Sequence, residues 1–190
     1  MTAPPGDLVA YHIGIVVHDL QTVADRYQRV LGVNRWRINE LAIPRVSWDP
    51  RSTDARLRVA FGRGAGLTFE LLQVLEGRTP HLDFLENHGE GVQHIGFWTS
   101  DVRAAVEGAV KEGGRVTLAR LEPNGNAEVQ LSAGASMESI VGRIPRGGLA
   151  YVDPGLGGVQ LEFVGPAPAA RLREWLAGDF GELLLPAPPW

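Results

Sequence analysis

The sequence predicts an α+β fold built from two tandem βαβββ modules whose strands form one cupped mixed sheet with helices on its outer face. Three observations predict it. "YHIGIVVHDL" at residues 11–20 and "QHIGFWTSDV" at residues 93–102 write the same pattern twice, His-Ile-Gly, an apolar run and then Asp-aliphatic. An amphipathic stretch follows each copy, and glycine- and proline-punctuated β-like runs follow that. No other repeat is needed to account for the 190 residues, a length that suits one domain or two small modules sharing a core.

The repeat survives a residue-by-residue test. With His12 set against His94, Ile13 meets Ile95, Gly14 meets Gly96, Asp19 meets Asp101, Leu20 meets Val102 and Gly32 meets Gly114. Each Asp stands where a helix N-cap belongs, accepting free backbone N–H groups. In "LQTVADRYQRVLG", Leu20, Val23, Tyr27, Val30 and Leu31 fall at helical spacing; Val102, Ala105, Val106, Ala109 and Val110 do so in "VRAAVEGAVKEGG". Glycine then stops each helix as a left-handed cap. "RWRIN", "ARLRVAFG" and "GLTFELLQV" supply the remaining strands of the first copy. "GRVTLARL", "AEVQLS", "SIVGRI", "GLAYVD" and "GGVQLEFVG" are the β-like runs of the second. Glu70 and Glu162 fall in the last strand of each copy. Their offset exceeds that of the histidines by ten, so the second copy carries a longer middle, a hairpin or loop extension within residues 121–148. The boundaries expected are residues 8–78 for the first module and 79–91 for a linker with a short helix, its Leu82 and Leu85 turned inward. Residues 92–166 form the second module, and 167–190 hold a helix around 169–177 and a proline-rich tail.

Strand side chains alternate between faces. Tyr11, Ile13, Ile15 and Val17 share one face of the first strand, as do Phe69 and Leu71, Ile95 and Phe97, and Leu161 and Phe163 in theirs. Burial sends these bulky faces against the helices. His12, Glu70, His94 and Glu162 are then driven to the opposite face, where a curled sheet makes them converge. A lone strand histidine is ordinarily a hydrogen-bonded core or rim residue, and a lone glutamate is ordinarily solvated; the paired pattern is what singles these four out. Two imidazoles and two carboxylates suit one divalent ion such as Zn, Ni, Co, Mn or Fe, and a buried carboxylate is costly without such a partner. The glycine two residues beyond each histidine leaves space beside the metal. His18, His81 and His88 lack this support and read as surface or linker residues.

Composition excludes other classes. A formal charge of −4 gives no reason to expect nucleic acid as a partner. The absence of cysteine rules out disulfides, thiolate metal sites and a cysteine nucleophile. The start "MTAPPGDLVA" does not read as a secretory signal, and no apolar run is long enough for a bilayer, so a cytoplasmic protein is expected.

On "YHIGIVVHDL", "LTFELLQVLEG", "FLENHGEGVQHIGFWTSDV" and "YVDPGLGGVQLEFV", the chain resembles the vicinal oxygen chelate superfamily over residues 9–165. That superfamily includes glyoxalase I, methylmalonyl-CoA epimerase, extradiol dioxygenases and bleomycin-resistance proteins. The resemblance implies a cupped sheet around one metal, held by His12 and Glu70 from the first module and His94 and Glu162 from the second. The His-Glu-His-Glu set is similar to that of glyoxalase I. "FLENHGEGVQHIGF" is closer to the epimerase branch, which usually carries glutamine at the Glu70 position. The implied chemistry is that of a lyase or isomerase: two neighbouring oxygens of a small substrate chelate the metal, charge on an enolate oxygen is stabilised, and Glu162 or Glu70 moves the carbon-bound proton. Two alternatives share the fold, an iron-dependent extradiol-type dioxygenase and a non-catalytic small-molecule binding or resistance protein. A homodimer is usual for chains of this kind. Asp54, near the position of the epimerase's second acid, Trp98 as a wall, and Arg120 and Arg143 flanking the extended loop are the candidate substrate contacts. The long second-module loop and the proline-rich tail depart from the short glyoxalase and epimerase patterns, which speaks against glutathione and coenzyme A thioester substrates.

Overall fold

The computed structural model describes residues 7–43, 53–120, 136–155, 157–180 and 188–189. Its first half runs β1 (Val9–Val16), α1 (Leu20–Leu31), β2 (Trp36–Ile43), β3 (Ala55–Gly64) and β4 (Leu67–Glu76). The connecting α2 (Pro80–His88) leads to β5 (Gly91–Trp98), α3 (Val102–Lys111), β6 (Arg115–Ala119), α4 (Met137–Gly142), β7 (Leu149–Asp153), β8 (Gln160–Val164) and α5 (Pro166–Phe180). One eight-stranded mixed sheet has the order β2-β3-β4-β1-β5-β8-β7-β6. Each half repeats the other outward from the central antiparallel pair β1 and β5, with β4 parallel to β1 and β8 parallel to β5.

Local chemistry explains the paired helices. The Asp19 carboxylate accepts from the backbone N–H of Gln21 at 3.0 Å and Thr22 at 3.2 Å, and α1 ends at Gly32 with φ 67°. Asp101 accepts from Ala104 N at 3.0 Å to start α3. The second stop departs from the repeat: Glu112 caps α3, and the left-handed residue is Gly113, φ 96°, one position before the expected Gly114. Both helices lie on the outer face. α1 covers Ile15, Val17, Phe69 and Leu71, and α3 packs on Val116, Ala150, Val152 and Phe163.

"SIVGRI" is not a strand. Ser136 accepts from Ser139 N at 3.2 Å and opens α4, which buries Ile140 and Val141 in the α3 layer, where Ile144 joins them. A short apolar run does not by its periodicity separate a buried helix turn from a strand. "AEVQLS" and the rest of 121–135 lie outside the described residues.

The inner face of the sheet is covered as well. Val16, Leu57, Val59 and Leu72 are closed over by Leu85 and Phe84 of α2 and by Trp175 of α5. Tyr11, Phe61, Trp98 and Val164 are closed over by Ala169, Leu172, Trp175 and Leu176 of α5. The linker helix and the C-terminal helix, which extends beyond the expected 169–177, thus roof the cup.

The central seam is bulged twice. Ala10 pairs with Phe97 and His12 with Gly96, leaving Tyr11 as the inserted residue; Gly14 pairs with His94 and Ile15 with Val92, leaving Gln93 inserted. A bulge breaks strict alternation and re-aims side chains. Tyr11, expected on the outer face with Ile13 and Ile15, accordingly stacks on Trp98 in the inner cluster, ring centroids 3.6 Å apart. Across the seam each histidine ring lies over the other strand's glycine. A Cβ on Gly14 would stand 1.9 Å from His94 Cε1, and one on Gly96 would stand 2.2 Å from His12 Cε1. The glycines therefore make room for the opposing imidazoles themselves, rather than only for space beside a metal.

Gly14→Ala and Gly96→Ala are each expected to destabilise the chain by about 1–3 kcal/mol, the usual cost of overpacking. Gly108→Ala in α3, where an added Cβ meets nothing within 4 Å, is expected to stabilise by about 0.4–1 kcal/mol. Urea midpoints of the three variants check the order.

Candidate metal centre

Register alone assembles the site. One row across the sheet reads Phe61, Glu70, Gly14, His94, and the row beside it reads Tyr151, Glu162, Gly96, His12. Each row carries one glutamate, one glycine and one histidine, and each histidine comes from the other half of the chain. His94 lies over Gly14 and His12 over Gly96, with Glu70 and Glu162 on the strands beside those glycines, so the four polar tips gather above β1 and β5.

The tips are close and buried. His12 Nε2 lies 2.8 Å from His94 Nε2, 3.0 Å from Glu70 Oε2 and 3.5 Å from Glu162 Oε2. His94 Nε2 lies 3.1 Å from Glu70 Oε2 and 3.9 Å from Glu162 Oε2. One donor atom from each of the four falls within 4.8 Å of all the others. Donors each about 2.0–2.2 Å from a shared ion would stand roughly 3–4 Å from one another, so the set fits a single divalent cation. Relative exposure is 4% for His12, 0% for His94, 9% for Glu70 and 5% for Glu162, and buried carboxylates need a compensating partner.

The surrounding groups prepare the donors. Gln93, the inserted residue of β5, accepts at Oε1 from His94 Nδ1 at 2.6 Å. That bond fixes the tautomer that leaves the Nε2 lone pair facing the cluster, the usual support of a metal-binding imidazole. Tyr11, the inserted residue of β1, donates its hydroxyl to Glu162 Oε2 at 2.9 Å. Tyr151 also shares a side-chain hydrogen bond with Glu162.

Electrostatics follow from burial and these contacts. Burial opposes charge on Glu70, but His12 and His94 outweigh it and hold the carboxyl well below the usual carboxylate range. Burial likewise opposes charge on His12, yet the hydrogen bond to Glu70 and the charges of Glu70 and Glu162 raise its pKa. The two shifts are the two sides of one contact: the imidazoles favour the ionised acid, and the acids favour positive charge between them. Burial, then Glu162 and Glu70, push the Tyr11 and Tyr151 phenols well above their ordinary pKa, so both remain protonated donors.

The other sequence candidates fare differently. Trp98 is fully buried; it supports Tyr11 from behind and forms part of the packed inner cluster. Arg120 stands exposed just past β6, where its backbone N–H donates to Leu149 O at 3.2 Å. Arg143 is not brought to the site: it caps α4, in the helical layer on the opposite face of the sheet. Asp54 is not brought there either. It is exposed just before β3, about 20 Å along the strand from Phe61 at the usual rise per residue. His18 and His88 are exposed as expected.

Reading the sequence missed three residues at the centre, Tyr11, Tyr151 and His81. His81 is buried, not a surface linker residue, with its ring centroid 5.5 Å from Tyr151 and 6.3 Å from His94. One signal was available. Thr79 and Pro80 mark a helix start, which puts His81 one turn before Leu85 on the inward face of α2.

The family model described as the Glyoxalase/Bleomycin resistance protein/Dioxygenase superfamily matches residues 11–130. No curated protein matches the chain. Among solved structures, methylmalonyl-CoA epimerase from Mycobacterium tuberculosis is 21% identical with a TM-score of 0.50, over 90% of this chain and 95% of that one. A methylmalonyl-CoA epimerase variant from Streptomyces coelicolor is 23% identical with a TM-score of 0.50, over 85% and 96%. A 4-hydroxymandelate synthase variant from Streptomyces coelicolor is 18% identical with a TM-score of 0.52, over 83% of this chain and 48% of that one. These similarities are similarities of fold. With its duplicated strand–helix–strand halves closing on a common cup, and with a family model spanning more than half of its length, the chain belongs to the glyoxalase/bleomycin resistance protein/dioxygenase superfamily.

Proposed function

We propose that the chain is a divalent-metal-dependent lyase or isomerase acting on a small substrate that presents two neighbouring oxygens. His12, Glu70, His94 and Glu162 would hold the ion, which is Zn, Ni, Co, Mn or Fe. The observation that carries the reading is the inequality of the two carboxylates within one buried donor set. Glu70 is pinned by both imidazoles, at 3.0 and 3.1 Å. Glu162 stands farther from them, at 3.5 and 3.9 Å, and is gripped by the Tyr11 phenol.

When bound, the ion supplies a Lewis acid that stabilises negative charge on a substrate oxygen. The chain's own groups do the proton chemistry. Glu162 takes the proton from the carbon next to the substrate carbonyl: the C–H bond breaks, an O–H bond forms on the carboxylate, and the electron pair passes to the carbonyl oxygen. Returning the proton to the opposite face of the same carbon completes an epimerisation; delivering it to the neighbouring carbon, while the proton of the adjacent hydroxyl passes to the enolate oxygen, completes an isomerisation. Tyr11 and Tyr151 keep the carboxylate oriented and supply neutral donors whose protons stay in place. Glu70, held against two imidazoles, serves as the structural ligand of the pair. Four protein donors would leave less room on the ion than a set of two histidines and one carboxylate. A ring-cleaving oxygenase would need open positions for both its substrate and dioxygen, which favours the lyase or isomerase.

Elemental analysis of the protein as isolated is expected to give close to one divalent ion per chain, and the double variant His12→Ala, His94→Ala close to none. Metal content unchanged in that variant would remove the ligand assignment. In D₂O, NMR of small 2-hydroxy ketones and 2-oxo aldehydes is expected to show exchange at carbon that Glu162→Gln slows by about 10²–10⁴-fold, the scale of general acid–base catalysis. Oxygen consumption with a catechol and no carbon exchange would overturn the reading in favour of oxygenation.

A further inference from the structure

We propose that His81 reads the substrate. Its imidazole holds a hydroxyl carried by the metal-chelating molecule, which makes the substrate a small vicinal-oxygen compound with an additional hydroxyl group. The inference rests on the reading of His12, Glu70, His94 and Glu162 as a metal site.

The helix start dictates where His81 points. Thr79 accepts from Leu82 N at 3.4 Å and Pro80 occupies the first turn, so α2 begins just before His81. Residues four apart share a helix face, and Leu85 fills the inner cluster with Val16, Leu57, Val59 and Leu72. His81 therefore enters the cup one turn earlier, where its ring meets the edges of His94 and Tyr151. It is 3% exposed, and neither ring nitrogen has a hydrogen-bond partner among the described residues.

A buried ring with two unused polar atoms is a poor space filler; leucine or phenylalanine would pack there without the desolvation cost. Nor does His81 belong to the metal set, because the group of four mutually close donor atoms does not include it. Its Tyr151 neighbour directs a hydrogen bond to Glu162. Buried and with no acid in hydrogen-bond reach, the ring is neutral and carries one N–H donor and one acceptor nitrogen. A carboxylate would satisfy only the donor and would crowd Glu70 and Glu162. An ammonium would satisfy only the acceptor. A hydroxyl can serve whichever nitrogen faces it, accepting from the N–H or donating to the bare nitrogen, and adds no charge to a site that already holds four titratable groups.

The test uses the zinc-loaded full chain and two pairs of hydroxy acids that chelate through the same two oxygens: lactate against glycerate, and 2-hydroxybutyrate against 2,4-dihydroxybutyrate. Calorimetry is expected to show at least one hydroxylated member binding about ten-fold tighter than its parent, the scale of a buried hydrogen bond. His81→Leu should bring that ratio near one while zinc content and lactate affinity change less than about two-fold. His81→Gln, which keeps a donor and an acceptor, should restore part of the ratio. Zinc bound with no preference in either pair, with no hydroxy-acid binding at all, or with a preference that survives His81→Leu would overturn the role of His81 alone. A wild-type chain that takes up no zinc or other divalent ion would overturn the metal reading and this inference together.

Discussion

The structure depends on one reciprocal fit at its centre: the ring of His12 over Gly96 and the ring of His94 over Gly14. Two imidazoles could not otherwise bring their Nε2 atoms to 2.8 Å across an antiparallel seam. Once that seam is set, the parallel neighbours have no freedom. β4 must deliver Glu70 beside Gly14, and β8 must deliver Glu162 beside Gly96. A slip of one residue in either pairing would turn its glutamate to the helix-covered face, so the outer apolar core and the inner polar cluster enforce the same register. Packing and chemistry are specified by one choice.

That coupling explains which parts of the site the sequence made legible. His12, Glu70, His94 and Glu162 stand out because strand alternation is local and the pattern is written twice. Alternation alone puts Tyr11 on the wrong face because a bulge is a pairing property; nothing in "AYHIG" shows that Ala10 and His12 face consecutive residues of β5. Arg143 was misplaced for a related reason: the apolar residues around it read equally well as strand or helix, and the helix sends it to the far layer. His81 was hidden because the roofing of the cup by α2 and α5 joins residues far apart in sequence. The outer faces, by contrast, followed directly from the spacing of Ile13, Ile15, Phe69, Leu71, Phe97 and Phe163.

The two bulges also show how a duplicated backbone acquires different functions in its halves. Both inserted residues precede a histidine, yet they act differently. Gln93 orients the imidazole next to it, whereas Tyr11 reaches over to the carboxylate of the other half. Opposite the glutamates the pairing differs again, with Phe61 beside Glu70 and Tyr151 beside Glu162. An apolar ring beside one acid and a phenol beside the other set their surroundings apart although their backbones correspond.

This inequality has a stereochemical consequence. A flat carbon centre offers two mirror-related sides, and an enclosure with a true twofold axis through its middle would hold the same acid ready at each. Here the axis relates main chains but not side chains: one flank presents phenols, the other imidazoles and a phenyl ring. Left and right are thus physically different inside the hollow, and any molecule lodged there meets surroundings able to tell its handedness.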